Sequence, residues 1–440
     1  MKKLLLCGLL TIALTTPKAL AAGDDSCDGK IQNNIIIHGI GGSKKSFGFM
    51  DRSLEKNIPC TKSHHFEYNT KSSQLSTVDF AKSLDSFLNN IPVTKEKDLN
   101  FIMHSQGGLV GLTYLFNTYN KTEGFSAENL KRLNKFVSMS TPFWGSDFAM
   151  MGQSVFFNFN IDNNGISPFG KNQLNDMKYG SQFFQGQIRN LFHPKNRGFL
   201  NYLKSEIKVL NISGMAPFQN SFLSGIGSQF FEGDFIVNIP SMTLNTLNAM
   251  AGSLNYKEDL VQVLKTHKSE LGKQSYVIGT HIDVYAGTIG YGVVDTPEEC
   301  LELSACDHPG FNSLFSFLTK DVVLTDKEIT KVIKGFDLHV MVGFPKGITK
   351  LSEAQIVVKN QEDKEINLSN YRFNGNEHKN ISLDLDKGIG YFLIKGSLIS
   401  KLPSNSIELE IRHPEITTRR VVVEVEKGKA TILRMIVRKK

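Results

Sequence analysis

The sequence predicts an α/β protein: a doubly wound sheet with a helical cap insertion, followed by an all-β, sandwich-like domain at the end of the chain. Three observations carry this expectation. Through roughly the first 280 residues, short apolar runs alternate with segments whose apolar residues recur at helical spacing. Between about 148 and 206 that alternation gives way to a phenylalanine-rich stretch. Beyond about 325 only short alternating runs remain, separated by Gly, Pro, Asn and charged turns.

The elements follow in order. Residues 1–21, "MKKLLLCGLLTIALTTPKALA", join a basic tip, a short apolar run and Ala19-Leu20-Ala21, the pattern of a cleaved secretory signal. The apolar run is too short to span a bilayer, and no later run has membrane length. The mature chain is therefore expected to be exported and soluble, periplasmic or extracellular. Six buried strands are then expected: "NNIIIHG", "HHFEYNT", "DLNFIMH", "LNKFVSMS", "IKVLNISGM" and "QSYVIGTH". Between the early ones, "KSFGFMDRSLEKN", "STVDFAKSLDSFLNNI" and "GGLVGLTYLFNTYN" supply crossover helices. The α/β domain is assigned to 22–325, and the sandwich-like domain to 326–440, with the boundary between 322 and 334. Within the latter, "VVVEVEKGKATILRMIV" reads as a hairpin turning near Lys427 to Lys429.

Composition narrows the partners. The chain carries 50 basic and 43 acidic residues, and the excess sits in the tail: residues 331–440 hold 20 Lys and Arg against 13 Asp and Glu. Clusters such as "RHPEITTRR" and "VRKK" would suit an anionic envelope surface or a lipid interface, or simply a solubilising strand face. No nucleic-acid module or interleaved aromatic ladder is present, so no nucleic-acid partner is expected. With Cys7 in the signal, four cysteines remain, Cys27, Cys60, Cys300 and Cys306. Four thiols in an oxidising compartment suggest two disulfides, most simply Cys27 with Cys60 and Cys300 with Cys306, although three pairings are open. No Cys/His cluster has zinc-ligand spacing.

Ligands of a doubly wound sheet bind at the carboxyl ends of its strands, and there the chemistry gathers. Ser105 closes the strand "DLNFIM" and opens the helix "GGLVGLTYL". A sharp strand-to-helix turn holds such a hydroxyl clear of the sheet and aims the next backbone N–H, that of Gln106, toward a developing oxyanion. In these residues the sequence resembles the secreted lipases and esterases of the α/β-hydrolase superfamily, whose elbow reads Gly-x-Ser-x-Gly. Met103 stands where that pattern has its first glycine, so strand and helix must cross more loosely or be repacked.

Two further segments resemble the family, in family order, across roughly the first 150 residues. "HGIGGS", His38 to Ser43, is similar to the lipase oxyanion loop, which implies that Ile40 donates its backbone N–H. A nucleotide loop is not expected there, because no Lys-Ser/Thr pair follows Gly42. "STPFWGSD", Ser140 to Asp147, is similar to a Thr-Pro-x-x-Gly-Ser stretch of many lipases.

The family order Ser, acid, His leaves two pairings open. In the first, "GDFIVNIPSM" resembles an acid-bearing loop and gives Asp234, with Phe235 in place of a glycine, and "GTHIDVY" gives His281 as the base. In the second, "GVVDTPEE" offers Asp295 and "CDHPGF" offers His308, with Tyr291 at the position of the family's Asp. Only the first pairing uses every expected strand. His38 is expected to brace its loop. The phenylalanines of "SVFFNFN", "SPFG", "QFFQG" and "NLFHP", with "GSQFFEGDF" before the acid, suggest a cap that would favour acyl chains, while any single one reads equally as core.

The resemblance implies an exported serine hydrolase of carboxylic esters, lipid esters foremost, with Ser105, Asp234 and His281 as triad and Ile40 and Gln106 as oxyanion donors. It requires no cofactor and no metal. Thioester, polyester or amide hydrolysis would use the same constellation, and a non-catalytic binding protein on this fold is the alternative of a different class.

Overall fold

The computed structural model describes residue 27 and residues 30–151, 169–216, 232–252, 260–281, 292–348, 353–359, 365–367, 370–373, 376–379, 381–384, 388–396 and 405–440. The signal segment, "SVFFNFN", most of "GSQFFEGDF" and Tyr291 lie outside them.

In chain order the first strands are β1 (Gln32–Ile37), β2 (Thr61–Phe66), β3 (Leu99–His104), β4 (Leu133–Met139), β5 (Lys208–Met215), β6 (Thr246–Ala251), β7 (Val261–Val263), β8 (His267–Ser269) and β9 (Lys273–Ile278). Six of them form one sheet in the order β2-β1-β3-β4-β5-β9, parallel at every pairing. These are the six strands expected from sequence. Their near-continuous apolar runs are what a parallel sheet covered on both faces requires. Ile35, Ile37, Phe101 and Met103 face α2 (Thr77–Leu88) and α3 (Gln106–Tyr119). Ile36, Ile102, Val137 and Leu210 face α1 (Met50–Asn57) and the helix Pro309–Lys320. Helix α2 starts at a reciprocal cap, in which Ser76 and Asp79 each accept the other's backbone N–H. Strand order reverses at β1, so the carboxyl ends of β1 and β3 flank the crevice where such sheets bind ligands.

The opposite end of the sheet is fastened by a buried ion pair. Arg132 Nε and Nη2 each donate to Asp98 at 2.9 Å, and the guanidinium also reaches the carbonyls of Ile91 and Pro92 and the side chain of Asn129. Removing one partner strands the other charge where water cannot reach it. Asp98→Ala is expected to lower stability by about 3–5 kcal/mol, read as a lower urea midpoint with an unchanged slope.

Helices Lys171–Asp176, Gln182–Phe192 and Arg197–Ser205 occupy the predicted insertion. Their phenylalanines Phe184, Phe192 and Phe199 are buried in the same core as α3, and Phe199 packs 5.2 Å from Phe116. These side chains are core, held against the sheet.

The later strands are β10 (Asp337–Gly343), β11 (Gln355–Lys359), β12 (Glu365–Asn367), β13 (Asn370–Phe373), β14 (Asn376–Lys379), β15 (Ile381–Asp384), β16 (Ile389–Lys395), β17 (Ser406–Arg412), β18 (Arg419–Glu424) and β19 (Ala430–Ile436). Two sheets, β15-β16-β10-β19-β6-β8 and β12-β11-β17-β18-β7, face each other across a core of Leu338, Val340, Val342, Phe392 and Leu433 against Ile356, Val358, Leu409, Val421 and Val423.

Two readings of the sequence change here. The sandwich is not built from residues 326–440 alone, because β6, β7 and β8, from residues 246–269, pair with β19, β18 and each other. Nor is the stretch around Lys427 to Lys429 a hairpin. Strands β18 and β19 lie in opposite sheets, β18 burying alternate side chains and β19 burying both of its faces, and the turn at Gly428, with φ of 73°, carries the chain across the sandwich.

In the β10-containing sheet, strands β10, β16 and β19 are buried on both faces. The sheet's second face sets Met341, Tyr391, Leu393, Ala430 and Ile432 into the core of the α/β domain. A polar cluster sits on that same face. Asp337 pairs in register with Lys395, whose ammonium makes a buried ion pair with Asp147 of the α/β domain and lies 5.0 Å over the Tyr179 ring. Burial pushes the Asp337 carboxyl up to about 6 and the His339 imidazole down to about 3, and His339 is hydrogen-bonded to the Tyr391 hydroxyl.

Both simplest disulfides are formed, Cys27–Cys60 and Cys300–Cys306. The first ties the segment before β1 to the residue before β2. Among the described residues, no helix is long and apolar enough to cross a membrane.

Candidate active site

Strand β3 delivers Ser105 to the switch point in a conformation that few residues adopt. Its φ of 53° and ψ of −126° form a sharp turn between β3 and α3, stabilised by its N–H on the Met139 carbonyl at 3.0 Å. A non-glycine residue at positive φ is strained, and such strain persists only where packing over-determines it. The packing is close. A Cβ on Gly107 would lie 2.5 Å from the Ile37 carbonyl oxygen, so only glycine lets α3 approach β1. The missing elbow glycine is answered on the helix: a Cβ on Gly111 would overlap Met103 Sδ, so Gly111 makes the room that Met103 takes. The crossing is repacked.

His281 follows β9 and Asp234 lies on the loop after β5. His281 Nε2 is 2.8 Å from Ser105 Oγ, and His281 Nδ1 is 2.7 Å from Asp234 Oδ2. All three residues are buried, with exposures of 3% for Ser105, 4% for His281 and 0% for Asp234. The other oxygen of Asp234 accepts the backbone N–H groups of Ile236 at 3.0 Å and Val237 at 2.9 Å, and the His281 N–H donates to the Asp234 carbonyl at 3.0 Å. Both carboxylate oxygens are thus occupied, which fixes the plane that meets the imidazole. The next residue, Phe235, has φ of 79° and is 38% exposed, so the side chain that replaces the family glycine sits in a backbone region that favours glycine.

The loop after β1 borders Ser105 on its other side. A Cβ on Gly39 would lie 2.6 Å from Ser105 Cβ, which brings the backbone of "HGIGGS" against the serine. His38 braces this loop. Its ring stacks on Tyr68 at 4.4 Å, Nε2 accepts the Tyr68 N–H at 3.3 Å, and Nδ1 donates to the Gly39 carbonyl at 2.8 Å, while the Tyr68 hydroxyl donates to the His38 carbonyl at 2.7 Å. Ile40 follows directly, and Gln106 is the first residue of α3. Phe169 closes on the same loop, its ring occupying the space a side chain on Gly41 would need.

The second sequence pairing is not brought to the serine. His308 caps the helix Pro309–Lys320: its Nδ1 accepts the Phe311 N–H at 2.9 Å and its Nε2 donates to the Gly292 carbonyl at 2.9 Å. Asp295 lies beside Gly48. The sequence reading also missed His104, whose ring packs 4.7 Å from that of His281. Burial holds the His104 imidazole well below its usual range and keeps it neutral. Its position next to Ser105 was the signal.

Residues 33–162 match the family described as "Putative serine esterase (DUF676)". The solved phospholipase PlaB from Legionella pneumophila superposes with a TM-score of 0.64 at 14% identity, over 92% of this chain and 93% of that one. The chain has the α/β-hydrolase fold. The complex of the same Legionella phospholipase with thio-NAD superposes with a TM-score of 0.64 at 11% identity, over 93% of this chain and 94% of that one. No curated protein matches. In α/β-hydrolase terms, the matched residues cover β1 to β4, and so include the "HGIGGS" loop and the Ser105 elbow, and the match supports ester hydrolysis. Among the described residues, no group of three or more His, Cys, Asp or Glu side chains could hold a metal ion.

Proposed function

We propose that this protein is an exported serine hydrolase that cleaves carboxylic esters, lipid esters foremost. The observation that carries the reading is the hydrogen-bonded series Asp234, His281, Ser105, buried at the carboxyl ends of β5, β9 and β3.

In this reading His281 Nε2 takes the proton of Ser105 Oγ as the oxygen attacks the acyl carbonyl carbon. The negative charge that develops on the carbonyl oxygen is met by the backbone N–H groups of Ile40 and Gln106. Collapse breaks the acyl–oxygen bond, and His281 passes its proton to the departing alkoxide. Water then attacks the acyl-serine by the same route and releases the carboxylic acid. Asp234 keeps the imidazole in the tautomer that presents a bare Nε2 to the serine. Export is supported by the two disulfides, which belong to oxidising compartments. The structurally similar Legionella protein is a phospholipase, so phospholipid joins triacylglycerol among the lipid esters to be tested.

The test is hydrolysis of p-nitrophenyl butyrate, p-nitrophenyl palmitate and phosphatidylcholine vesicles by the mature chain and its Ser105→Ala variant, with labelling by a serine-reactive phosphonate. The expected result is hydrolysis and labelling that both disappear with Ser105. Absence of both in the unaltered protein would turn the reading to a binding protein on a hydrolase fold.

A further inference from the structure

The loop that carries Asp234 is held from two sides. On one side it is zipped to the segment after β4. The Phe143 N–H donates to the Ser241 carbonyl at 2.8 Å, the Trp144 N–H to Ser241 Oγ at 3.1 Å, Ser241 Oγ to the Gly145 carbonyl at 2.6 Å, and Ser146 Oγ to the Ile236 carbonyl at 2.6 Å. The next residue, Asp147, is the one paired with Lys395 of β16. Both ends of that pair are buried, and the Tyr179 ring beneath the ammonium bears the hydroxyl that Asn238 Nδ2 reaches at 3.4 Å. On the other side Glu232, two residues before Asp234, accepts the backbone N–H groups of Lys334 and Gly335, which lead into β10. Ile239 of the same loop packs with Met215, Ile329 and Ile333.

Neither clamp is needed to close the sandwich, whose own core lies on the other face of the β10 sheet. Their shared effect is to fix residues 232–241 against β16 and the start of β10. That loop must present one carboxylate oxygen to an imidazole within a few tenths of an ångström.

We propose that Lys395 and Glu232 are positioning residues for the hydrolysis, through which the sandwich domain holds the acid loop so that Asp234 meets His281. This rests on Asp234, His281 and Ser105 acting as a triad. Lys395 acts through Asp147 and Ser146, and Glu232 acts through the backbone it shares with Asp234. Charges facing the ammonium of Lys395 come from Asp147 and Asp337, with Glu232 also close to Asp337.

The experiment uses the full mature chain and two variants. Glu232→Gln keeps shape and loses one of two strong acceptors. Lys395→Met combined with Asp147→Asn removes both partners of the ion pair and leaves Asp337, which burial already holds toward its neutral form, as the one carboxyl that loses its cation. Folding is followed by circular dichroism and melting temperature, and kcat and KM for p-nitrophenyl butyrate are measured across pH. The expected result is folded protein whose kcat falls roughly ten- to a hundredfold with KM within about twofold. The pH–rate profile should change along with kcat, which a merely structural loss would leave unmoved.

Folded variants with unaltered kcat and profile overturn the proposal. A rate loss that only tracks the unfolded fraction, with the profile unmoved, overturns it too. Glu232→Gln decides alone if the double variant does not fold. A Ser105→Ala control that kept its activity would overturn the triad itself and the proposal with it, a failure separable from unaltered kinetics in the clamp variants.

Discussion

Alanine in place of His281 or Asp234 is expected to lower kcat/KM on a soluble ester by about 10⁴-fold or more, with the fold intact. The size follows from the geometry. His281 joins Asp234 at 2.7 Å to Ser105 at 2.8 Å, so its loss leaves a serine with no proton acceptor, and loss of Asp234 leaves an imidazole with no fixed tautomer. The double variant should be little worse than the single ones, because the residues act as a unit. His308→Ala should change the rate less than about threefold and instead cost about 1 kcal/mol of stability as a lost helix cap. Rates on p-nitrophenyl butyrate and a urea titration separate the two behaviours. A His308→Ala variant without activity beside an active His281→Ala variant would transfer the base to the wrong side of β9 and sink the assignment.

Ending the chain at Thr325 is expected to give no soluble folded protein. The cut removes β19 and β18, against which β6 and β7 pair, although β6, β7 and β8 themselves remain. It also strips Met341, Tyr391, Leu393 and Ile432 from the core of the α/β domain. At about 1.5–3 kcal/mol for each large apolar side chain, those four contacts amount to roughly 6–12 kcal/mol, comparable to the whole stability of a domain, about 5–15 kcal/mol. Solubility, near-ultraviolet circular dichroism and ester turnover of the 22–325 fragment give the answer. A folded, active fragment would mean that β6 to β8 and the second face of the β10 sheet are dispensable.

What could be read in advance follows from how local each signal is. The six strands of the parallel sheet were legible because burial on both faces writes itself as a continuous apolar run, as in "NFIMH". Ser105 and the "HGIGGS" loop were legible because a strand-to-turn junction is encoded within a few residues. Asp234 and His281 could be ranked over Asp295 and His308 because each follows a strand that the sheet needs, Asp234 on the loop after β5 and His281 just after β9. Strand β6 escaped notice because "TLNAMA" is short and mixes apolar with polar residues, and β7 and β8 have three residues each. The character of β6 and β7 comes from partners more than 150 residues away, and β8 pairs with β6. Lys395 and Asp147 leave no trace in sequence at all, since an ion pair across the interface of two domains has neither spacing nor period.

One feature of the strand order bears on when the site can exist. The excursion through β6, β7 and β8 lies between Asp234 and His281 in the chain, and β6 finds one of its two partners only in Ala430–Ile436, next to the last residues. Synthesis runs from the amino end, so a nascent chain displays the Ser105 elbow long before the strand that anchors the link between acid and base has been made. The hydroxyl is present early, and Asp234 and His281, its proposed partners, are fixed later. On the proposed triad, chemistry at Ser105 thereby waits until β19 has been made and paired with β6, a safeguard in time supplied by topology alone.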